Sequence, residues 1–165
     1  MTQDSRDEPG IEQLAQLALN HVVQLIEAGE LDATAELTGI DGDIVNIEIN
    51  GPDANLLVGR RGQALDSLQY LVLVMTTHDK SGPSRLRVHL DADCYRQRRA
   101  EALRSLARSL AEQVRATGEE AVIEPLNALE RRIVHTELVD DADVSTYSEG
   151  EEPHRHIVIT PKRLA

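Results

Sequence analysis

Apolar and polar residues alternate along the chain with two different periods, which predicts helices and strands in mixed order. Residues 11–28 repeat their apolar positions at helical spacing, and residues 33–39 and 44–50 alternate as strands. The segment Asp41-Gly42-Asp43 between these strands is typical of a hairpin turn. The same patterns predict, in chain order, a helical turn at 53–58, a helix at 65–77, a loop at 79–84, a strand at 85–90, a helix at 94–116, a strand at 121–124, a helix at 126–138, and strands at 144–148 and 155–160.

This order of elements predicts an α+β protein made of two small domains. Residues 1–10 are predicted to be a disordered tail. Residues 11–93 form a first domain with the order helix-strand-strand-helix-helix-strand. Residues 94–162 form a second domain, which includes the long connecting helix and continues as strand-helix-strand-strand. We find no internal repeat.

The apolar stripes predict which side chains face the cores of the later elements. The residues predicted to face inward are Leu86, Val88, Leu90, Leu103, Leu106, Leu110, Val114, Leu129 and Ile133. The residues predicted to face outward on the strand at 85–90 are Arg85, Arg87 and His89. On the helix at 126–138, Arg131 and His135 are four residues apart and therefore share a face, nearly opposite Leu129 and Ile133.

The net charge of −12 is unevenly distributed. Residues 1–58 carry 12 acidic residues and one basic residue, whereas residues 59–116 carry 6 acidic and 11 basic residues. Residues 117–165 carry 11 acidic and 5 basic residues. As a bulk value the acidity argues against nucleic-acid binding. Because the middle third is basic, the sequence instead predicts a local basic surface within an acidic protein.

Composition narrows the class of protein further. The chain has no Phe or Trp and three Tyr, so its cores are aliphatic and few rings can stack on bases. Cys94 is the only cysteine, which excludes a disulfide framework and a four-cysteine zinc site. No apolar run approaches the length that spans a bilayer, and the first ten residues lack a signal-peptide pattern. We therefore expect a cytoplasmic protein that does not insert into a membrane.

The segment Gly59-Arg60-Arg61-Gly62 lies between a short predicted helix and a longer one. Two glycines allow a tight turn and a close approach of a ligand to the backbone. The amides that begin the following helix favour an anion at the same place. Two arginines add positive charge, so the pattern suits a sugar–phosphate backbone. The alternative is that the segment is a simple turn.

Other clusters suggest weaker sites. His154 and His156 with two nearby glutamates could hold a metal, but no further ligand cluster accompanies them. The long helix carries arginines that could follow phosphates or equally form ion pairs that bridge the two domains, namely Arg96, Arg98, Arg99, Arg104, Arg108 and Arg115. We find no pattern of a catalytic nucleophile, a nucleotide-binding loop or a cofactor site. We expect no enzyme activity, no metal and no cofactor.

The first domain resembles a KH domain. The segment Leu57-Val58-Gly59-Arg60-Arg61-Gly62-Gln63-Ala64-Leu65 is similar to the GxxG loop and following helix of that family, and the element order is that of its type II arrangement. The resemblance implies that the loop holds a four-nucleotide single strand through its backbone, without aromatic stacking.

The second domain resembles the Arg-x-x-x-His domain, a small single-stranded nucleic-acid-binding fold. The similarity lies in Asn127-Ala128-Leu129-Glu130-Arg131-Arg132-Ile133-Val134-His135 and the later segment 147–153. Both domains in this order resemble the bacterial Jag (SpoIIIJ-associated) family over about residues 11–162. With the basic strand, the two resemblances imply these RNA-binding residues: Gly59, Arg60, Arg61, Gly62, Gln63, Arg85, Arg87, Arg131, His135, Ser148 and Arg155.

Two of these residues have competing interpretations. Ser148 could be a turn residue that caps its own backbone, and Arg155 could be an ion-pair partner of Glu151 or Glu152. In the nucleic-acid interpretation, Arg131 forks onto phosphate oxygens and His135 donates from both ring nitrogens when protonated. An alternative for the Arg131/His135 pair is an ordinary solvated helix face.

The family resemblance implies an RNA-binding protein with a post-transcriptional or RNA-chaperone role linked to cell elongation and the cell envelope. It also implies a small KH-only partner protein that forms a heterodimer with this chain. Two alternatives stay open. One is a protein–protein adaptor that uses the acidic N-terminal third, and the other is a single-stranded DNA binder.

Overall fold

The computed structural model describes residues 10–78 and 86–162. The chain divides into two compact units, Met1–Arg96 and Gln97–Ala165, called the first and second unit below. Each has its own cluster of buried aliphatic side chains. The protein is of the α+β class, which confirms the fold class predicted from the sequence.

The first unit contains three helices, three strands and one 3₁₀ turn among its described residues. They are α1 (Ile11–Ala28), β1 (Thr34–Asp41), β2 (Ile44–Asn50), α2 (Ala54–Val58), the 3₁₀ turn Arg60–Gly62, α3 (Gln63–Thr77) and β3 (Arg87–Ala92). The order helix-strand-strand-helix-helix-strand is confirmed. The predicted loop at 79–84 lies outside the described residues, as does Arg85 of the predicted strand.

The sheet of the first unit has the order β1-β2-β3, with β1 antiparallel and β3 parallel to β2. Alternation along β2 buries Val45, Ile47 and Ile49 on one face. Val45 pairs with Val88 and Ile47 with Leu90, so β3 continues the same apolar face. The predicted inward positions of β3 are thereby confirmed, and its described outward residues Arg87 and His89 are exposed.

The second unit contains two helices and an antiparallel sheet. Its elements are α4 (Tyr95–Thr117), whose first two residues belong to the first unit, then β4 (Ala121–Ile123), α5 (Ala128–Leu138), β5 (Val144–Glu149) and β6 (His156–Pro161). The strand order is β4-β6-β5. Asn127 begins α5 with a reciprocal capping box: its side chain accepts from the Glu130 backbone N–H, and the Glu130 carboxylate accepts from the backbone N–H of Asn127.

Two predicted core residues of the second unit are wrong. Leu106 is 42% exposed, because α4 buries the stripe Leu103, Ala107, Ala111 and Val114 instead. Leu106 directly precedes Ala107 and therefore lies about 100° around the helix from this buried residue. Leu129 is 61% exposed, because α5 buries Glu130, Arg131, Val134 and Leu138 instead.

Candidate nucleic-acid interface

The GRRG loop, residues Gly59–Gly62, turns sharply between α2 and α3. Gly59 and Gly62 have φ of +66° and +81°, and Arg61 between them has φ of +52°. Positive φ is inexpensive for glycine and costly for most other residues. The loop therefore occupies the position between two helices that the sequence predicted, in a backbone shape that depends on its glycines.

Both glycines of the GRRG loop are also required by close packing. A Cβ on Gly59 would lie 2.5 Å from the Cβ of Ala64, and a Cβ on Gly62 would lie 2.8 Å from Cε1 of Tyr95. The backbone at these two positions therefore lies too close to Ala64 and to the ring of Tyr95 to accommodate a side chain. This close packing fixes the shape of the loop, and its role as a nucleic-acid site stays a prediction.

The side chains of the GRRG loop face solvent. Arg60, Arg61 and Gln63 are exposed, and the Arg60 side chain has no hydrogen bond or ion pair with any residue that the structure describes. The backbone N–H of Gln63 donates to the carbonyl oxygen of Arg60, which closes the turn. Two guanidinium groups beside the start of a 15-residue helix form a surface suited to phosphate.

Strand β3 lies beside α3, and the two elements are joined by a hydrogen bond from the backbone N–H of Leu90 to Gln69 Oε1 at 3.1 Å. Arg87 is exposed at the start of β3, and its backbone N–H donates to the carbonyl oxygen of Asp43 at 2.8 Å. Its guanidinium has no ion pair within residues 10–78 and 86–162. Arg85, predicted with it, lies outside the described residues.

His135 on α5 contacts two hydroxyl groups of β5. Its Nδ1 lies 2.5 Å from Thr146 Oγ1, and its Nε2 lies 3.2 Å from Ser148 Oγ. The structure thus brings together His135 and Ser148, two of the predicted site residues. Ser148 lies within β5 and turns its hydroxyl to the imidazole, which argues against the turn-capping alternative. Partial burial, and then the positive charge of Arg131, hold the pKa of His135 below its ordinary value.

Arg131 does not lie on a solvated helix face. Its side chain is 10% exposed, Nη1 donates to the carbonyl oxygen of Leu126 at 2.6 Å, and Nη2 donates to Glu152 Oε1 at 2.7 Å. Arg131 therefore connects the residue before the α5 cap with the β5–β6 segment, residues 150–155. The fork that the sequence assigned to phosphate holds a backbone carbonyl and a carboxylate.

Arg155 lies in the β5–β6 segment and is exposed. Its carbonyl oxygen accepts the backbone N–H of Leu126 at 3.1 Å, so Leu126 is bonded to both Arg131 and Arg155. Within the described residues the Arg155 side chain has no ion pair with Glu151 or Glu152. Glu152 is paired with Arg131 instead.

Five arginines of α4 form ion pairs with carboxylates. The pairs are Arg96–Asp66, Arg99–Glu130, Arg104–Glu101, Arg108–Glu137 and Arg115–Asp141, and each joins residues of a single unit. The pKa of Asp141 lies below its usual value because the backbone N–H of Asp143 and the Arg115 guanidinium donate to it. Of the two alternatives that the sequence left open for the arginines of this helix, these five show ion pairing, within single units rather than as a bridge between domains.

Sequence reasoning missed one exposed cation of α5. Arg132 is exposed and has no hydrogen bond or ion pair with any described residue, although it directly follows the buried Arg131. A helical wheel separates the two arginines by about 100°. The buried face of α5 decides which of the two adjacent arginines points outward. The apolar pattern of the sequence placed that face wrongly, because it predicted that Leu129 is buried.

The described residues form neither a metal cluster nor a membrane span. Within residues 10–78 and 86–162, no three His, Cys, Asp or Glu side chains are grouped to hold a metal ion. His156 Nε2 lies 3.8 Å from Glu149 Oε2, and no further His, Cys, Asp or Glu side chain of the described residues joins them to form a metal site. In the same part of the chain no helix combines the length and the apolar character needed to cross a bilayer.

The fold and these sites place the second unit in a known class. The family of Arg-x-x-x-His domains matches residues 101–161, a range that runs from α4 to the end of β6. The α5 residues Arg131 and His135 stand at the spacing of the motif for which that family is named. The chain is thus an α+β protein with a C-terminal Arg-x-x-x-His domain.

Comparison with known proteins extends this class to a particular family. The chain is 40% identical over 154 residues to the RNA-binding protein KhpB of Clostridium symbiosum, covering 92% of this chain and 68% of that protein. It is 37% identical over 153 residues to RNA-binding protein KhpB of Bacillus subtilis, covering 92% and 71%. For KhpB of Lactiplantibacillus plantarum the identity is 37% over 135 residues, covering 81% and 41%. The chain belongs to the KhpB family, which is the Jag (SpoIIIJ-associated) family.

Proposed function

We propose that this protein binds single-stranded RNA through two surfaces. The first is the GRRG loop with Gln63 and Arg87 on a type II KH domain, residues 11–93. The second lies on the Arg-x-x-x-His domain, residues 94–162, at Arg131, His135, Ser148 and Arg155. The observation that carries the proposal is the GRRG loop itself: a packed backbone turn that directs two arginines into solvent.

Three further observations support RNA as the ligand. Relatives at 37–40% identity are named RNA-binding proteins, and the Arg-x-x-x-His domain family matches the second unit. The element order helix-strand-strand-helix-helix-strand of the first unit fits the proposed type II KH domain. The scarcity of aromatic residues fits a KH loop, which holds the strand through its backbone.

Charge sets the character of the binding. Phosphate contacts to a few exposed arginines make affinity fall as salt rises, and a shortage of base-reading groups makes sequence selectivity modest. The acidic remainder of the chain repels polyanions elsewhere on the surface. Two weak surfaces on one chain raise the overall affinity for a strand long enough to reach both.

The test is fluorescence anisotropy with a labelled single-stranded oligoribonucleotide. Arg60→Asp with Arg61→Asp should weaken binding about tenfold to a hundredfold near 0.1 M salt, since two phosphate contacts become repulsive. Asp is tolerated at the positive φ of Arg61, so the fold is kept. The control, Arg60→Lys with Arg61→Lys, should stay near wild-type affinity. Equal affinity of the Asp variant and wild type would contradict the proposal.

The finer role follows the family resemblance: a cytoplasmic, non-enzymatic RNA chaperone or post-transcriptional regulator linked to cell elongation and the envelope. A small KH-only protein is the proposed partner in a heterodimer. Tagged protein recovered from cells, with and without nuclease, tests this role. RNA and the partner should both be recovered, whereas partners held only through the acidic face would favour the adaptor. Competition between matched RNA and DNA oligonucleotides distinguishes the ligands through the 2′-hydroxyl.

A further inference from the structure

The sheet of the second unit packs one of its faces against α4 and α5. Ile123, Ile157 and Ile159 belong to the same buried cluster as side chains of these two helices. Because successive side chains of a strand point to opposite faces, Val122 and Val158 lie on the other side of the sheet. We call this side, with its neighbouring residues of β5, the outer face.

The outer face carries an apolar row that crosses all three strands. Val122 of β4 and Tyr147 of β5 both pair with Val158 of the central strand β6, so the three side chains are neighbours. Val122 is 61% exposed and Tyr147 is 42% exposed, whereas Val158 between them is 3% exposed. The row is therefore a shallow apolar patch that is open to solvent at both of its ends.

Carboxylates flank both ends of the apolar row. Alternation places three exposed glutamates on the outer face, namely Glu120, Glu124 and Glu149. Among the residues that the structure describes, neither Glu120 nor Glu149 has a lysine or arginine partner, and His156 Nε2 lies 3.8 Å from Glu149 Oε2. Lys162, just beyond β6, donates its Nζ to the backbone carbonyl oxygen of Asp141. The apolar row is thus set in negatively charged surroundings.

Hydrogen bonds across the outer face hold Tyr147 in place. Glu120 Oε1 accepts from Thr160 Oγ1 at 2.8 Å, and the Glu120 carboxylate also accepts from the Tyr147 hydroxyl. The side chain of Tyr147 therefore reaches from the edge strand β5 to a residue beside the opposite edge strand, which explains why Val158 between them is covered. Desolvation, and then the charges of Glu120 and Glu149, raise the pKa of Tyr147, in keeping with the acidic surroundings.

We infer that the outer face binds a basic segment of a partner protein, with an aliphatic or aromatic side chain of that segment on the apolar row and its lysines or arginines beside the glutamates. Complementary charge selects this occupant. RNA and an anionic membrane surface carry the same sign as the glutamates, and a second copy of the face would oppose glutamates to glutamates.

The outer face does not overlap the RNA surface proposed for the same unit. Ser148 of that surface turns its hydroxyl to His135 on α5, which is the helix-packed side of β5. Tyr147 and Glu149 on either side of Ser148 point the opposite way. Binding of a basic segment therefore does not depend on the proposed function, and both ligands can be bound at once.

The test titrates the isotope-labelled full chain with short synthetic peptides in which lysine alternates with leucine, valine or phenylalanine, followed by NMR. At least one of them should bind, with amide shifts centred on residues 120–124, 145–149 and 156–160. A control peptide in which lysine alternates with serine has the same charge without the apolar side chains and should bind about tenfold more weakly. Added salt should weaken binding, because part of the attraction is between exposed charges.

Variants of the chain test the two parts of the outer face separately. Val122→Ser removes the exposed end of the apolar row and should weaken the tightest peptide about tenfold. Val139→Ser is the matched control, since this valine at the end of α5 is 66% exposed, and it should leave the affinity unchanged. Glu149→Gln removes one flanking charge and should weaken binding about threefold at low salt.

Several results would overturn the inference. They are the absence of shifts at the outer face with every lysine peptide, shifts centred instead on the acidic N-terminal third, and equal peptide affinity of Val122→Ser and wild type. A dimer in sedimentation analysis that Val122→Ser abolishes would assign the face to a second copy of the chain. An oligoribonucleotide that shifts the same amides would assign it to RNA.

Discussion

The chain contains two pairs of consecutive arginines near its candidate sites, and the structure treats them differently. Arg60 and Arg61 lie in a loop shaped by backbone geometry, and both are exposed. Arg131 and Arg132 lie on a helix, where one is buried and the other exposed. The first site therefore depends on its glycines, whereas the second depends on a network of side chains that buries Arg131 and leaves Arg132 exposed.

The largest expected effect concerns the glycines of the first site. Gly59→Ala places a methyl group 2.5 Å from Ala64 at a positive φ, so we expect a loss of about 3 kcal/mol of unfolding free energy. Gly42 is the matched control, since it also has a positive φ but no described atom within 4 Å of an added Cβ. Gly42→Ala should cost only about 1 kcal/mol. Urea denaturation measures both, and equal losses would contradict the packing argument.

A smaller effect is expected from the buried arginine of the second site. Arg131→Met keeps the aliphatic stem but removes two hydrogen bonds, to Leu126 and Glu152, which should cost about 2 kcal/mol. Arg132→Met should change stability by less than about 0.5 kcal/mol, because its side chain is exposed. Thermal or urea unfolding of the two variants compares neighbours with the same substitution. Similar stabilities would mean that Arg131 is not an anchor.

The smallest expected effect is a pH dependence at His135. Because its pKa is lowered in the folded protein, the unfolded chain takes up a proton first as the pH falls below about 6.5. Stability should therefore be level above that pH and decrease below it, and His135→Gln should remove this part of the decrease. Urea midpoints at about pH 5 and pH 7.5 test this expectation, with NMR titration of the imidazole. A titration midpoint above about 6.5 would reverse the sign.

The order of helices and strands could be predicted from the sequence because each element has a local pattern of apolar and polar residues. Alternation along β2 and the helical spacing of α1 set those elements within a residue or two, and glycine marked the ends of α1 and α4. Leu106 was misplaced because Ala107 and Ala111 carry weak hydrophobic signals although they are fully buried. Small residues reveal their role only through what packs on them.

The candidate site likewise has features that are local in the sequence and features that depend on residues far apart in the chain. The GRRG loop could be located because glycine spacing between two helices is a property of the sequence alone. The burial of Arg131 could not, since its partners Leu126 and Glu152 lie at different distances along the chain and meet only in the folded unit. The family resemblance, rather than any local pattern, assigned both His135 and Ser148 to an RNA-binding surface, and their contact with each other emerges only in the structure.

The ion pairs of α4 reduce the electrostatic attraction of this helix for a polyanion such as RNA. RNA gains much of its affinity for a cationic surface by shedding the small ions condensed around its phosphates. An arginine that is already ion-paired with a carboxylate of its own chain is partly neutralised, and a phosphate can bind it only by displacing that carboxylate. Along α4, the paired carboxylates are Asp66, Glu101, Glu130, Glu137 and Asp141. The positive charge of these five arginines is thereby partly neutralised before a polyanion approaches, so the helix offers a strand less attraction than its count of arginines suggests.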